Sequence, residues 1–283
     1  MISLIICSRT SVISSKLYVN IQNTIGIDYE LIVIDNSNNK YSIFSAYNEG
    51  VSRAKYPYLC FMHEDILFQT NNWGEKVIAY FVNEEVGLIG VIGSHFLPET
   101  VCVWTDTGLT SGQVISDDVY HSDLSRFRNK TYIEAVATDG LWQCVQRSLF
   151  DKIRYDDKTF DGFHCYDIDI CLQVRSLQKQ VLIVSDILIN HSSNGNWNKA
   201  WVDNTYKLYN KWKKKLPQIA GINISSEEID IRTELAHNAF TWTVEYAISR
   251  DELDRVLSSK AYKFGKLILT PFKLFKRKHY YDS

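Results

Sequence analysis

The sequence predicts an α/β protein whose mostly parallel central sheet is covered by helices on both faces. Two patterns lead there. Short apolar runs of strand length, each closing on polar residues, alternate with stretches of helical spacing. The runs are apolar at nearly every position, as strands buried on both faces are. The chain has 283 residues, 45% of them hydrophobic. That is room for one α/β domain of roughly 200 residues and an appendage.

The elements follow in order. "ISLIICS" reads as a first buried strand, and residues 16–24 as a helix. "YELIVIDN" is a second strand, stopping at Asp35-Asn36. Residues 43–55 put Phe44, Tyr47, Val51 and Ala54 on one side of a helix. "YPYLCFM" is a third strand, ending at His63-Glu64-Asp65. Residues 73–81 read as a helix, and "VGLIGVIG" as a fourth strand. From about 97 to 130 the pattern is irregular, with loops and a hairpin expected. "TYIEAVATDGLWQCVQRSLFDKI" predicts a strand, a turn and a helix. "FDGFHCYDIDICLQVRSLQ" leads into another helix, and "QVLIVSDILINHSS" is a strand running into a polar turn. Beyond Trp197 the chain reads as helical, with breaks near Pro217 and Pro271.

In open parallel sheets ligands bind beyond the carboxyl ends of the strands. Ser8-Arg9-Thr10, Asp35-Asn36-Ser37 and His63-Glu64-Asp65 all stand at such ends and are expected to line one crevice. Bulk properties narrow the partners. A formal net charge of -2 gives no general attraction to nucleic acid, so none is expected. No run of about 18 apolar residues suggests a membrane span. "MISLIICSRT" lacks the features of a secretory signal. Six cysteines without a CxxC pair predict buried, reduced thiols rather than zinc or disulfides, and with them a cytoplasmic protein.

The motifs "VIDNSNN", "AYNEGVSRAKYPYLCFMHEDI", "DGLWQCVQRSLFDKI", "HCYDIDICLQVRSLQKQVLIV" and "NHSSNG", in this order, resemble family 2-like glycosyltransferases of the GT-A fold. The streptomycin-biosynthesis StrF-type domain is the subgroup they are most similar to. The likeness covers residues 1–217 and implies a catalytic domain there, with 218–283 as a helical extension. It implies transfer of a sugar from a nucleotide-diphosphate donor to a saccharide or lipid-linked saccharide, inverting and metal-assisted.

Carried over position by position, the resemblance places Thr10, Asp35, Asn48, Gly50, Glu64 and Trp142 around the nucleotide sugar. The carboxylate of Asp35 would accept from a base N–H, and the ring of Trp142 would stack on the sugar. For Gly50, plain helix–strand packing is an equal alternative; for Asp35, a turn; for Trp142, a core ring. Asp65, His63 and His191 fall at the metal, Mn2+ or Mg2+, which would bridge the diphosphate. His63 stands where many relatives carry Asp, which favours Mn2+ over Mg2+. Asp167 falls at the catalytic base, with Asp169 and Asp139 in support, and Tyr166 replaces the usual Glu. The Gln-x-x-Arg-Trp motif of processive synthases is missing, so one sugar per encounter is expected.

Residues 259–283 mix lysines with Phe, Leu and Ile, a pattern suited to an anionic membrane surface or to packing on protein. Peripheral attachment to the inner face of the cell membrane is therefore the second expectation for location. Two other functions fit a related core. A sugar nucleotidyltransferase would carry a Gly-rich phosphate loop, and "CSRTSVISSK" has no glycine. A catalytically inactive, glycosyltransferase-like binding or scaffold protein would explain His63 and Tyr166 as lost chemistry.

Overall fold

β1 (Ile2–Ser8) is flanked by parallel neighbours, β2 (Tyr29–Asp35) and β3 (Tyr58–Met62). The computed structural model describes residues 1–116, 119–192 and 197–264. The crossovers are α1 (Ser15–Thr24) and α2 (Ile43–Arg53). Ser14 and Ser42 cap them by accepting from the N–H groups of Leu17 and Ser45. Leu4 and Ile6 pack with Leu17 and Ile21 of α1, whereas Ile5 joins Phe44 and Tyr47 of α2. Alternate residues of one strand thus feed two separate cores, so β1 has no solvent face and reads as an unbroken apolar run.

The chain continues through β4 (Ile66–Phe68), α3 (Trp73–Phe81), β5 (Val86–Gly90), β6 (Ile92–Ser94) and β7 (Phe96–Leu97). β8 (Thr110–Ser116) and β9 (Val119–Asp123) form the hairpin of the irregular region. Next come β10 (Tyr132–Ala135), β11 (Ala137–Thr138), β12 (Trp142–Gln146), α4 (Tyr166–Ser176), β13 (Gln180–Val184) and β14 (Ile189–His191). α5 (Lys199–Trp212), β15 (Gln218–Ile219) and α6 (Ser226–Ser258) complete the described part.

The main sheet has the order β10-β13-β5-β12-β3-β1-β2. Five of its seven strands point one way; β10 and β12 oppose them. A second sheet, β11-β6-β8-β14-β4, stands beside it.

Three sequence expectations need correction. "VGLIGVIG" is two strands in different sheets, β5 and β6, separated at Val91. Gly93 lets β6 cross β11 closely, since a Cβ there would meet the Ala137 carbonyl oxygen at 2.1 Å. "WQCVQRSLFDKI" is not helical beyond a short 3-10 turn over Arg147–Asp151; it begins as β12, between β3 and β5. Five residues in which Gln143 and Gln146 interrupt Trp142, Cys144 and Val145 are too few to show a period, so helix and strand look alike. Cys60 and Cys144 are opposite residues of β3 and β12 and form a disulfide, while Cys7, Cys102, Cys165 and Cys171 are free. Strand register, not spacing, brings that pair together across 84 residues.

α6 rests on α5 through Phe240, Ala247 and Val202. Just past Pro217, β15 pairs with β7 and Ala220 donates its N–H to the His95 carbonyl. Of the basic segment 259–283, residues 265–283 lie outside the described residues. Among the described residues no helix is long and apolar enough to cross a membrane.

Candidate active site

The carboxyl ends of β1, β2 and β3 open into one cavity of about 960 Å³. Ser8, Arg9, Asn36, Lys40 and His63 to Asp65 line it from the sheet. Asp139-Gly140 and the start of α4 close another side, and His191 reaches it from the second sheet. Trp104, Trp201, Leu208 and Phe163 give it an apolar wall.

His63 and Asp65 lie in the bend between β3 and β4, and β14 pairs with β4 so that His191 stands opposite Ile66. His63 Nδ1 is 3.2 Å from His191 Nε2, which is 3.5 Å from Asp65 Oδ1; His63 Nδ1 and Asp65 Oδ1 are 4.0 Å apart. These three residues offer ligand atoms that all lie within 4.8 Å of one another. Burial pushes His63 down to about 4, against the pull of the Asp139 carboxylate. His63 is therefore neutral at physiological pH and carries a lone pair for a cation. Two imidazoles and a carboxylate fit a divalent ion, and fit a first-row transition ion better than Mg2+.

Asp167, the second residue of α4, faces the same cavity. Its Oδ2 accepts the Gly140 N–H at 3.1 Å. Burial first, and then the nearby charge of Asp139, raise its pKa to about 7; the N–H groups of Ile168, Asp167 and Gly140 pull the other way. A carboxylate poised there can exchange a proton near neutral pH. Asp139 shapes the adjoining turn by accepting from Leu141 N–H at 2.8 Å. The Tyr166 hydroxyl lies 2.7 Å from His63 Nε2 and 3.0 Å from the Gly140 carbonyl oxygen.

Glu64 lines the cavity but is engaged, accepting from the Ser8 hydroxyl and from Arg9 Nε at 2.6 Å. Burial alone would raise its pKa; Ser8 and Arg9 more than offset that and hold it low. Thr10 and Asp35 are exposed and stand just outside the lining, each beside a residue that belongs to it, Arg9 and Asn36. Asp35 accepts from Ser37 N–H at 2.9 Å, which keeps its carboxyl below the usual range.

Four expected site residues are placed elsewhere. Asn48 faces away from the cavity and bridges the backbone of Tyr155, donating at 2.8 Å and accepting at 3.1 Å. Gly50 is the contact of α2 with β1: a Cβ would meet Ile5 Cγ2 at 2.3 Å. Trp142 is fully buried, edge-on to Trp73 and Phe68, and cannot stack on a sugar. Asp169, 1% exposed, turns from the cavity to α5, where it accepts from Trp212 Nε1 at 2.8 Å and pairs with Lys211 at 2.7 Å. Asn48 and Gly50 lie on α2, Asp169 on α4 and Trp142 at the start of β12, and helix phase and strand face decide which way each points. Asp169→Ala should lower the unfolding free energy by about 2 kcal/mol, because the buried indole N–H loses its acceptor. A urea titration checks this, and an unchanged midpoint would refute it.

The sequence reading missed Lys40, Trp104, Phe163 and Trp201 as lining residues. Their types suit a phosphate or a sugar ring, but nothing in the local pattern distinguishes them from surface and core residues.

The fold and the placement of the cavity at the strand ends define a GT-A glycosyltransferase architecture. Residues 3–218 match the glycosyltransferase-like family, and the chain belongs to it. It is similar to the streptomycin biosynthesis protein StrF of Streptomyces griseus, at 25% identity over 62% of each chain. It is also similar to the ATP synthase subunits region ORF 6 protein of Fuscovulum blasticum, at 27% identity over 52% of this chain and 57% of that one. The chain thus spans about three-fifths of the length of these relatives. Among solved structures, GalNAc-T7 with UDP, GalNAc and Mn2+ superposes with a TM-score of 0.53 at 12% identity, covering 76% of this chain and 49% of that one. At that identity the likeness speaks for the fold.

Proposed function

We propose that this chain is an inverting, metal-assisted glycosyltransferase that moves one sugar per encounter from a nucleoside-diphosphate donor to a hydroxyl of a saccharide or lipid-linked saccharide. The observation that carries the reading is one cavity holding both a carboxyl group with a pKa of about 7, Asp167, and the His63–Asp65–His191 donor set. Residues 1–217 would be the catalytic domain and 218–283 its extension.

Asp167, ionised, takes the proton of the acceptor hydroxyl as that oxygen attacks the anomeric carbon and the diphosphate leaves from the opposite face. Gly140 N–H holds the carboxylate in place through its 3.1 Å hydrogen bond. A divalent ion held by His63, Asp65 and His191, Mn2+ in preference to Mg2+, would neutralise charge on the departing diphosphate. Arg9 and Lys40 add positive charge on the same lining. The GalNAc-T7 structure holds UDP, which makes a uridine nucleotide the first donor to try. The wall of Trp104, Phe163 and Trp201 suits the apolar face of an acceptor ring.

The test is a panel of sugar nucleotides with Mn2+, reading release of nucleoside diphosphate with and without saccharide acceptors. We expect turnover with at least one donor, lost on chelation. Binding of donors without any turnover across the panel would favour an inactive binding protein instead.

A further inference from the structure

We infer that Tyr166 is a positioning residue for the cation site: its hydroxyl gives its hydrogen to the Gly140 carbonyl and takes one from His63 Nε2, leaving Nδ1 of His63 unprotonated beside Asp65 and His191. The inference rests on the proposed cation binding and deepens it.

The argument is a count of hydrogens. A tyrosine hydroxyl has one hydrogen and can also accept. The Tyr166 oxygen has two partners here, the Gly140 carbonyl oxygen at 3.0 Å and His63 Nε2 at 2.7 Å. The carbonyl can only accept, and Gly140 is buried with no second donor to that oxygen among the described residues. Sending the hydroxyl hydrogen to His63 would strand a buried carbonyl without a donor, at the full cost of its desolvation. The hydrogen therefore goes to Gly140, and the contact with His63 requires an Nε2–H. A neutral imidazole with its proton on Nε2 keeps its lone pair on Nδ1, an acceptor for the His191 ring in the metal-free protein and a donor atom for a cation. Nδ1 is the atom 3.2 Å from His191 Nε2 and 4.0 Å from Asp65 Oδ1.

The surroundings fix the hydroxyl in this role. The Tyr166 ring is 4% exposed and packs edge-on against Phe44, Tyr47 and Phe163. Gly140 leaves the space the hydroxyl needs, since a Cβ there would meet the Tyr166 hydroxyl oxygen at 2.3 Å. The same glycine donates its N–H to Asp167. One residue thus supports the base on one side and, through Tyr166, a cation ligand on the other. Partners of this kind, which orient a ligand without touching the ion, typically contribute about ten- to hundred-fold in affinity.

Two measurements on the full chain decide the matter. The first is nitrogen NMR of metal-free protein labelled in histidine, at pH 8, with the His63 signals assigned by their loss in His63→Gln. We expect a protonated Nε2 and an unprotonated Nδ1; a proton on Nδ1 would overturn the inference, and no Tyr166 variant is needed to see it. The second is calorimetry with Mn2+ alone. Tyr166→Phe, which keeps the ring, should bind Mn2+ about ten- to hundred-fold more weakly and shift His63 toward the other tautomer. Wild-type affinity in a folded Phe variant would sink the inference while leaving cation binding intact. Absence of Mn2+ heat from the wild type would remove the cation reading as well.

Discussion

Asp167→Asn leaves affinity for the nucleoside diphosphate near the wild-type value and lowers turnover by about two to four orders of magnitude. The amide has the shape of the carboxylate and can still accept the Gly140 N–H, so the cavity persists while its proton acceptor is gone. Wild-type kcat/KM should rise with pH through about 7 and then level off, because Asp167 accepts a proton only when ionised. The Asn variant should lose that limb. Stability follows with opposite sense. The folded pKa lies above the ordinary value of 3.8, so the favourable contribution is complete below about 4 and is lost as pH rises through about 7. Above pH 7 the Asn variant should therefore melt no lower than the wild type. Paired calorimetry and steady-state rates check the kinetic part. Weakened donor binding with turnover preserved would take Asp167 out of the base role.

Asp65→Ala should weaken nucleoside-diphosphate binding in Mn2+ by about a hundred-fold or more, and chelation of the wild type should do the same. The alanine removes the one carboxylate of the donor set, leaving two imidazoles, which bring no negative charge to balance a divalent ion. Titrating uridine diphosphate into both proteins, with and without Mn2+, measures the effect directly. Equal affinities in all four titrations would show that the nucleotide is held without a cation at this cluster.

How much of this was legible before the structure varied by element. The first three strands and their crossovers announce themselves, since apolar runs of strand length alternate with serine-capped stretches of helical spacing. β12 was not legible as a strand, because its five residues are too few to separate a strand period from a helical one, and its place between β3 and β5 is set by pairing that local sequence does not carry. At the site, motif positions led to His63, Asp65, His191 and Asp167, and all four line the cavity. They did not show which way Asn48, Trp142 and Asp169 turn. His63 and Tyr166 looked like two separate departures from the family pattern. In space they are one contact of 2.7 Å, a pairing that 103 residues of separation conceal.

The two sheets give the site a mechanical side. His63 and Asp65 sit where the chain leaves β3 of the larger sheet for β4 of the smaller one, and His191 belongs to the smaller sheet alone. An ion gripped by all three would add a rivet between two layers already joined by packing, by chain connections and by the Gln143 amide of the larger sheet, which donates to Thr138 of the smaller one. Loading the cavity would then stiffen the whole seam, so rigidity of the scaffold and readiness for the donor would arrive together.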